Sequence, residues 1–192
     1  MLPAVGGGGK PAILGAIFAG GQARRFGGDK AAALLDGMAL LDHVAGRLRG
    51  QVSAVVVVGR EWPGLERIDD RPAAGLGPLG ALAGALCHAA ASGFGTVLTS
   101  GCDLPDLPLD LAEQLAPAPA IVAGQPLLGL WPAAMGDRLL EHLQTTPKRS
   151  MRGWIAAAGA RPVELASPLA NINTGDDLAA LVRRREDPRS SR

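Results

Sequence analysis

The sequence predicts an α/β fold with three layers, in which helices cover both faces of a mostly parallel, doubly wound sheet. Short apolar runs alternate along the chain with longer segments of helical periodicity, and strands of parallel sheets are apolar throughout because both faces are buried. At 192 residues the chain has the length of one domain. The predicted strands are 13–19, 52–58, 96–100, 120–123 and 127–131, and the predicted helices lie near 39–49, 79–91, 109–116, 134–143, 151–159 and 175–185.

The middle of the chain contains a run from 73 to 102 without Asp, Glu, Lys or Arg. That run is long enough to cross a bilayer, and Gly80 and Gly84 imitate a membrane packing motif. Pro78, His88 and the Gly-containing break at 92–95 divide it, however, into an apolar helix and a short strand. We therefore expect a buried helix followed by a central strand. The apolar positions at helical spacing are Leu79, Leu82, Ala83, Leu86 and Ala90.

The last helix has the clearest predicted start. Thr174 and Asp177 form the pattern of a capping box, in which each side chain bonds to the other residue's backbone. Leu178, Leu181 and Val182 then give the helix one apolar face. We expect an N-terminal tail at 1–11, a single domain at 12–185 and a C-terminal tail at 186–192.

Composition gives no global indication of a charged partner. A net charge of +1 provides no general attraction to nucleic acid or to a membrane. Two cysteines are too few for a disulfide framework, and the first residues lack the basic-then-apolar layout of a signal peptide. We expect a cytoplasmic protein that binds neither nucleic acid nor a membrane.

The loop after the first predicted strand is rich in glycine and in positive charge. Residues 18–30 read FAGGQARRFGGDK, a composition suited to placing backbone N–H groups and cations against phosphates. It is not a P-loop, because Asp29 precedes Lys30 and Ala31 follows it where Ser or Thr is required. The G-x-G-x-x-G pattern is absent as well. The loop indicates nucleotide binding of a third kind.

This loop resembles the signature L-A-G-G-x-x-x-R-M-G-x-D-K of the molybdenum cofactor guanylyltransferases, within the wider family of nucleotidyltransferases that act on pterins, sugars and polyols. Phe18 and Phe26 replace the Leu and the Met. Four more motifs follow in the family's order, so that the resemblance extends over residues 13 to 181. They are GPLG at 77–80, CDLP at 102–105, QPL at 125–127 and NINT at 171–174.

The resemblance implies a Rossmann-like nucleotidyltransferase fold and the transfer of GMP from GTP to the terminal phosphate of molybdopterin, or of its molybdenum form, with release of pyrophosphate. It also implies partner proteins that deliver the pterin or receive the finished cofactor. Two alternatives stay open: a sibling transferase that uses CTP or a sugar or polyol phosphate, and a non-catalytic GTP-binding module. The pair Gly20-Gly21 favours the guanylyl enzyme, because the cytidylyl loop usually reads A-A-G.

The predicted site lies at the carboxyl ends of the strands, where open parallel sheets bind ligands. Lys30 would place a positive charge at the α-phosphate, and Asp103 would supply the oxygen ligand that Mg²⁺ prefers. Backbone amides from Ala19 to Gly21 would add fixed dipoles. Arg25 stands at the family's Arg position and would reach the triphosphate or the pyrophosphate. The predicted catalytic residues are Lys30, Asp103 and Arg25, the metal ligand is Asp103, and the nucleotide contacts are Phe18, Ala19, Gly20, Gly21, Lys30, Val58, Asp70 and Asp103.

Each of these residues also has an ordinary structural interpretation. Lys30 could be a solvated lysine at a helix start, and Asp103 could cap a turn. Asp69-Asp70-Arg71 could be a turn with a surface ion pair, although the family's nucleotide-contacting Asp, seven residues before Gly77, coincides with Asp70. The three histidines fall in predicted helices without metal-ligand spacing. A general base is not required, because the phosphate of molybdopterin is already ionised near neutral pH.

Two departures from the family pattern concern the second strand and the acceptor side. The chain has Val58-Gly59-Arg60 where the resemblance would often place Asn, which excludes a side-chain amide contact there. The stretch between Val122 and Gln125 is also short, which trims the presumed pterin side. The polar groups available for the acceptor are Gln125, Arg149, Arg152, Asn171 and Asn173.

Overall fold

The computed structural model describes residues 12–20, 26–147, 149–167 and 169–186. The tail expected at 1–11 and residues 187–192 lie outside these ranges. So do Gly21 and Arg25, two members of the predicted site. The domain boundaries therefore stay a prediction.

Nine strands and six α-helices are found in the described residues. The strands are β1 (Ile13–Phe18), β2 (Leu34–Leu35), β3 (Met38–Ala39), β4 (Ala54–Val58), β5 (Glu66–Ile68), β6 (Thr96–Gly101), β7 (Ala120–Val122), β8 (Gln125–Pro132) and β9 (Arg161–Val163). The helices are α1 (Leu40–Arg49), α2 (Gly77–Ala91), α3 (Leu111–Leu115), α4 (Gly136–Thr145), α5 (Met151–Ala158) and α6 (Gly175–Glu186). Lys30–Ala32 and Ala133–Met135 form 3₁₀ turns.

Seven of the strands form one sheet in the order β5-β4-β1-β6-β8-β7-β9. Strand β8 runs antiparallel to its two neighbours, and every other pairing in the sheet is parallel. The mostly parallel α/β sheet predicted from the alternating apolar segments is confirmed. Strands β2 and β3 form a separate hairpin.

Alternating side chains of the strands supply two buried layers, one on each face of the sheet. Leu14, Ala16 and Phe18 of β1 pack with α2, α4 and α5, whereas Ile17 packs on the other face with α1 and α3. Burying one such large apolar side chain stabilises the fold by about 1.5–3 kcal/mol. A third, smaller cluster joins the hairpin and α1 to α6 through Leu35, Leu40, Ile172 and Leu181.

The charge-free run folds as predicted, into α2 and β6. Leu79, Leu82 and Leu86 of α2 are buried against the sheet. Gly84 of the same helix packs on the backbone, since a Cβ there would collide with the carbonyl oxygen of Asp69. Among the described residues, no helix has both the length and the apolar character needed to cross a membrane.

The capping box of α6 is confirmed, while several short elements escaped prediction. The Thr174 N–H donates to Asp177 Oδ2 at 2.8 Å, and the Asp177 N–H donates to Thr174 Oγ1 at 3.1 Å. Strands β5 and β9 have three residues each, two of them exposed, and lie at the sheet edges, where so few positions show no periodicity. The strands of the β2–β3 hairpin are shorter still, with two residues each.

Candidate active site

The carboxyl ends of three neighbouring strands lie in one row. Phe18, the last residue of β1, pairs with Val58 of β4 on one side and with Gly101 of β6 on the other. The segments that follow these strands therefore leave the sheet side by side. Strand order reverses around β1, which is where open α/β sheets form a ligand crevice.

Two cavities open along this row and share a wall made by Phe18 and Leu127. The larger cavity, of about 430 Å³, is bordered by charged groups, and the smaller, of about 310 Å³, by small and apolar residues with one carboxylate. The larger cavity is lined by Phe18, Ala19, Gly28, Asp29, Lys30, Ala31, Arg60, Gly101, Cys102, Asp103 and Leu127. The smaller cavity is lined by Phe18, Gly20, Val58, Asp70, Gly75, Gly77, Pro78, Ala81 and Leu127.

Lys30 and Asp103 meet in the larger cavity, as their positions after neighbouring strands predict. The Lys30 Nζ lies 3.0 Å from Asp103 Oδ2 and also donates to Asn173 Oδ1 at 3.2 Å. The two charged side chains are only 13% and 21% exposed. The Ile172 N–H donates to the Asp103 carbonyl oxygen at 3.0 Å, which holds the segment before α6 over β6. Three motifs distant in sequence thus converge on one ammonium group.

Lys30 stands on the short 3₁₀ turn that Asp29 caps. Asp29 Oδ1 accepts from the Ala31 N–H at 3.1 Å. The same carboxylate receives both terminal nitrogens of Arg60, Nη1 at 2.7 Å and Nη2 at 2.6 Å. This guanidinium lowers the pKa of Asp29 below its ordinary value. The loop that carries Lys30 is therefore tied to the end of β4.

Close backbone contact brings the same two segments together. Gly59 has a φ of +88°, and a Cβ there would lie 2.9 Å from the Gly20 Cα, so the position requires glycine. The Ala19 N–H donates to the Val58 carbonyl oxygen at 3.1 Å. The Ala19 N–H, expected to act as a dipole for phosphate, thus extends the strand ladder, while the nucleotide contact expected of Ala19 stays a prediction.

The smaller cavity separates Asp70 from its neighbour Asp69. Asp70 lines the cavity, and burial raises the pKa of its carboxyl group above the ordinary value, against the opposing effect of a hydrogen bond from the Gly75 backbone. Asp69 instead accepts from Arg67 on the exposed surface, with the Arg67 Nη2 at 2.6 Å. Asp70 is thus the member of the pair that faces the crevice, and its role there stays a prediction.

Asp106, the next carboxylate in the chain after Asp103, has partners outside the crevice. It pairs with Arg47 of α1 at 3.6 Å and with Arg185 of α6. In the described part of the chain, no group of three or more His, Cys, Asp or Glu side chains is arranged to hold a metal ion. Of these two carboxylates, Asp103 is the one that borders the larger cavity. Beside it, burial raises the pKa of the Cys102 thiol to about 11.

The polar residues named for an acceptor divide into two groups. The Gln125 and Asn171 side-chain amides bond to each other, with Gln125 Nε2 donating to Asn171 Oδ1 at 2.7 Å. Gln125 is two residues from Leu127, which lines the larger cavity, and Asn171 is two residues from Asn173, which accepts from Lys30. Arg149 donates to the Leu143 carbonyl oxygen. None of these four side chains lines the two cavities, and Gln125 borders a neighbouring cavity instead.

Asp29 and Arg60 are the charged cavity residues that sequence reasoning missed. Arg60 attracted attention only as a departure at the end of the second strand. The two residues are 31 positions apart, and no local pattern links them. The pairing of β1 with β4 is the signal that brings them together, and it becomes visible only when the strands are placed in register.

Known proteins share both the sequence and the fold. Residues 15–163 match the family described as "MobA-like NTP transferase domain". The molybdenum cofactor guanylyltransferase of Acidiphilium cryptum (strain JF-5) is 38% identical over 178 residues, which span 85% of this chain and 91% of that protein. The enzyme of the same name from Rhizobium leguminosarum bv. trifolii (strain WSM2304) is 35% identical over 91% of this chain and 94% of its own length. The crystal structure of molybdopterin-guanine dinucleotide biosynthesis protein A from Archaeoglobus fulgidus superposes with a TM-score of 0.73 at 21% identity, over 90% of this chain and 98% of that one, a likeness of fold.

Proposed function

Since the chain belongs to the MobA-like family of nucleotidyltransferases, we propose that it transfers GMP from GTP to the terminal phosphate of molybdopterin, or of its molybdenum form, and releases pyrophosphate. The observation that carries the proposal is the Lys30 ammonium, 3.0 Å from Asp103 and largely shielded from solvent, at the carboxyl edge of β1 and β6. The names of the relatives supply the substrates, and the chemistry of the crevice fits them.

We place the triphosphate of GTP in the larger cavity and the nucleoside in the smaller one. Lys30 gives the larger cavity a cation that can compensate phosphate charge. The smaller cavity joins apolar wall to the Asp70 carboxylate, a combination suited to a flat base or ribose with N–H or O–H donors. The shared wall of Phe18 and Leu127 lets one molecule extend across both cavities.

The donor set at Asp103 fits Mg²⁺. Mg²⁺ in nucleotide sites uses one or two carboxylates together with substrate phosphates and water, so Asp103 alone is a sufficient protein ligand. When bound, the ion would neutralise negative charge on the phosphates. Asp103 would then exchange Lys30 for the ion, and the Lys30 ammonium would turn to the α-phosphate. Asn173, 3.2 Å from Nζ, would keep the lysine side chain oriented during that exchange.

The reaction is an exchange of one phosphoanhydride for another. A phosphate oxygen of the pterin attacks the α-phosphorus of GTP, a new P–O–P bond forms, the bond between the α- and β-phosphates breaks, and pyrophosphate leaves with that electron pair. No proton has to be removed from the attacking oxygen. The contribution of this chain is therefore positioning and charge compensation by Lys30.

We assign the acceptor side to Gln125 and Asn171. Their paired amides are half-buried and offer both donors and acceptors, as the edge of a pterin ring requires. Arg25 is proposed for the pyrophosphate, Gly21 for a backbone contact to the nucleotide, and Val58, which lines the smaller cavity, for a main-chain contact. We further propose that the protein works in the cytoplasm with proteins that deliver the pterin or receive the cofactor.

Nucleotide selectivity and product formation test this function together. We expect GTP with magnesium to stabilise the protein more than CTP, UTP or ATP does. Relative to the free protein, a ligand at a hundred times its dissociation constant should stabilise by about 2.7 kcal/mol. GTP labelled in the α-phosphate should pass its label to molybdopterin while pyrophosphate appears in equal amount. Equal or greater stabilisation by CTP would favour the cytidylyl sibling. Binding of GTP without label transfer would point to a non-catalytic module.

A further inference from the structure

The contact between Arg60 and Asp29 is the strongest feature of the crevice without an assigned role. Both oxygens of the carboxylate are occupied by the two terminal nitrogens of one guanidinium, at 2.7 and 2.6 Å. Such bidentate pairs fix direction as well as distance. Asp29 precedes Lys30 directly, so whatever fixes Asp29 also restricts the lysine.

The turn that carries Lys30 has little support of its own. It is a 3₁₀ turn of three residues, held by the Asp29 cap, by single backbone bonds and by the buried Ala31 side chain, which packs in the cluster of α1. Gly27, at a φ of +74°, and Gly28 precede it, and a Cβ on either would meet nothing within 4 Å. A loop built this way has many accessible conformations unless a contact from outside restricts it.

Arg60 provides that outside contact because it is itself anchored. Its guanidinium carbon lies 5.2 Å from the centre of the Trp62 ring, and the Trp62 Nε1 donates to Asp42 Oδ1 of α1 at 2.8 Å. The Gly20 and Gly59 contact fixes the backbone just before Arg60. A chain of contacts thus runs from α1 through Trp62 and Arg60 to the turn of Lys30.

The pair also settles which carboxylate Lys30 meets. Asp29 is adjacent to Lys30 in sequence, yet the Lys30 Nζ pairs with Asp103. With Arg60 bound to both Asp29 oxygens, the negative charge of Asp29 is already compensated. Lys30 is then free to point at Asp103 and the larger cavity.

We propose that Arg60 is a positioning residue, which aims Lys30 into the larger cavity by clamping Asp29. The expected change in kcat rests on the proposed function, whereas the expected change in the position of the Lys30 side chain rests on the ion pair alone. Asp29 transmits the effect, and Arg60 need not touch the nucleotide.

Kinetics of a double-mutant cycle distinguish this role from direct binding of phosphate. Asp29→Asn keeps a capping side chain but removes the charge. We expect Arg60→Ala and Asp29→Asn each to lower kcat for guanylyl transfer at least tenfold with less than a threefold change in the KM for GTP. Arg60→Lys should not restore kcat, since an ammonium cannot make the bidentate contact. The double variant should be no worse than either single one. Multiplying effects, or a raised KM with unchanged kcat, would overturn the proposal.

A second measurement does not depend on turnover. The chain has only three lysines, so protein labelled with ¹³C-lysine gives three sets of side-chain signals, and Lys30→Arg identifies that of Lys30. Without nucleotide, Arg60→Ala and Asp29→Asn should shift the Lys30 ε-methylene signal. Arg138→Ala is the matched control, because it removes a guanidinium of α4 that lies 5.9 Å from the Trp154 ring of α5, and it should change neither this signal nor kcat. An unmoved Lys30 signal in Arg60→Ala would refute the clamp even if the substrate proposed for the protein were wrong.

Discussion

Removal of the Lys30 charge is the most direct perturbation of the crevice. Lys30→Ala deletes an ammonium that contacts Asp103 at 3.0 Å and Asn173 at 3.2 Å. The side chain is 13% exposed, so water cannot replace the charge fully. We expect the variant to fold and to bind GTP, and to lose turnover.

Two independent arguments give the size of the loss. A unit charge about 4 Å from another contributes about 4 kcal/mol at the effective dielectric constant of ~20 found in proteins. Removal of one preorganised donor to a developing oxyanion costs about 2.7–4 kcal/mol in enzymes. Because each ~1.4 kcal/mol corresponds to a factor of ten, kcat should fall by a factor of about a hundred to a thousand.

The assay is steady-state release of pyrophosphate with GTP, magnesium and molybdopterin. Thermal unfolding and GTP binding by calorimetry, measured on the same preparations, show whether the variant is folded and loaded. Added methylammonium should restore part of the lost rate, since it places a cation in the space that the side chain leaves. A kcat within tenfold of that of the unaltered chain would refute the role given to Lys30.

Three further predictions concern the metal, the nucleoside and the thiol. Asp103→Asn should abolish magnesium-dependent pyrophosphate release, whereas Asp106→Asn, which alters a carboxylate held by Arg47 and Arg185, should retain it. The reverse result across a magnesium titration would show that Asp103 is not the ligand of the ion. Asp70→Asn should raise the KM for GTP at least tenfold with a smaller change in kcat. Because burial raises the pKa of Asp70, the loss of GTP affinity on acidification should begin at a higher pH than it would for an aspartate of ordinary pKa, and steady-state kinetics from pH 5 to 8 check both points. With a pKa of about 11, the Cys102 thiol is ionised to about one part in a thousand at pH 8, so the rate of its alkylation by iodoacetamide should rise about tenfold per pH unit up to pH 10. Alkylation should slow when GTP and magnesium fill the cavity, and Cys102→Ser identifies the modified peptide in mass spectra.

Much of the fold could be predicted because its central elements are strongly apolar. Strands β1, β4 and β6 lie within two residues of the predicted bounds, and the helix from Gly77 begins two residues early. The predictions fail where an element is too short to show a period. Glu66–Ile68 is an example, since only Ile68 of its three residues is buried. Its place beside β4 comes from the sheet, which local sequence does not encode.

The candidate site could be predicted in position and only partly in detail. That Lys30 and Asp103 lie together follows from a simple rule, since both come after parallel strands and such strands end at one edge. Whether a backbone amide is free does not follow from that rule. The Ala19 N–H is used by the Val58 carbonyl because the ladder between β1 and β4 continues one residue beyond Phe18, where β1 ends.

A lysine and an aspartate at the ends of adjacent strands admit two explanations, a stabilising ion pair or a binding site. A pair that serves stability gains nothing from an open space beside it, because water there weakens its attraction. Lys30 and Asp103 border a cavity of about 430 Å³, and a third group, Asn173, holds the ammonium from the other side. Without ligands, each charge compensates the other at a site too shielded to hold either alone. In the function we propose, these opposite charges separate onto a phosphate and a cation, and the position of the pair beside the larger cavity is consistent with that proposal.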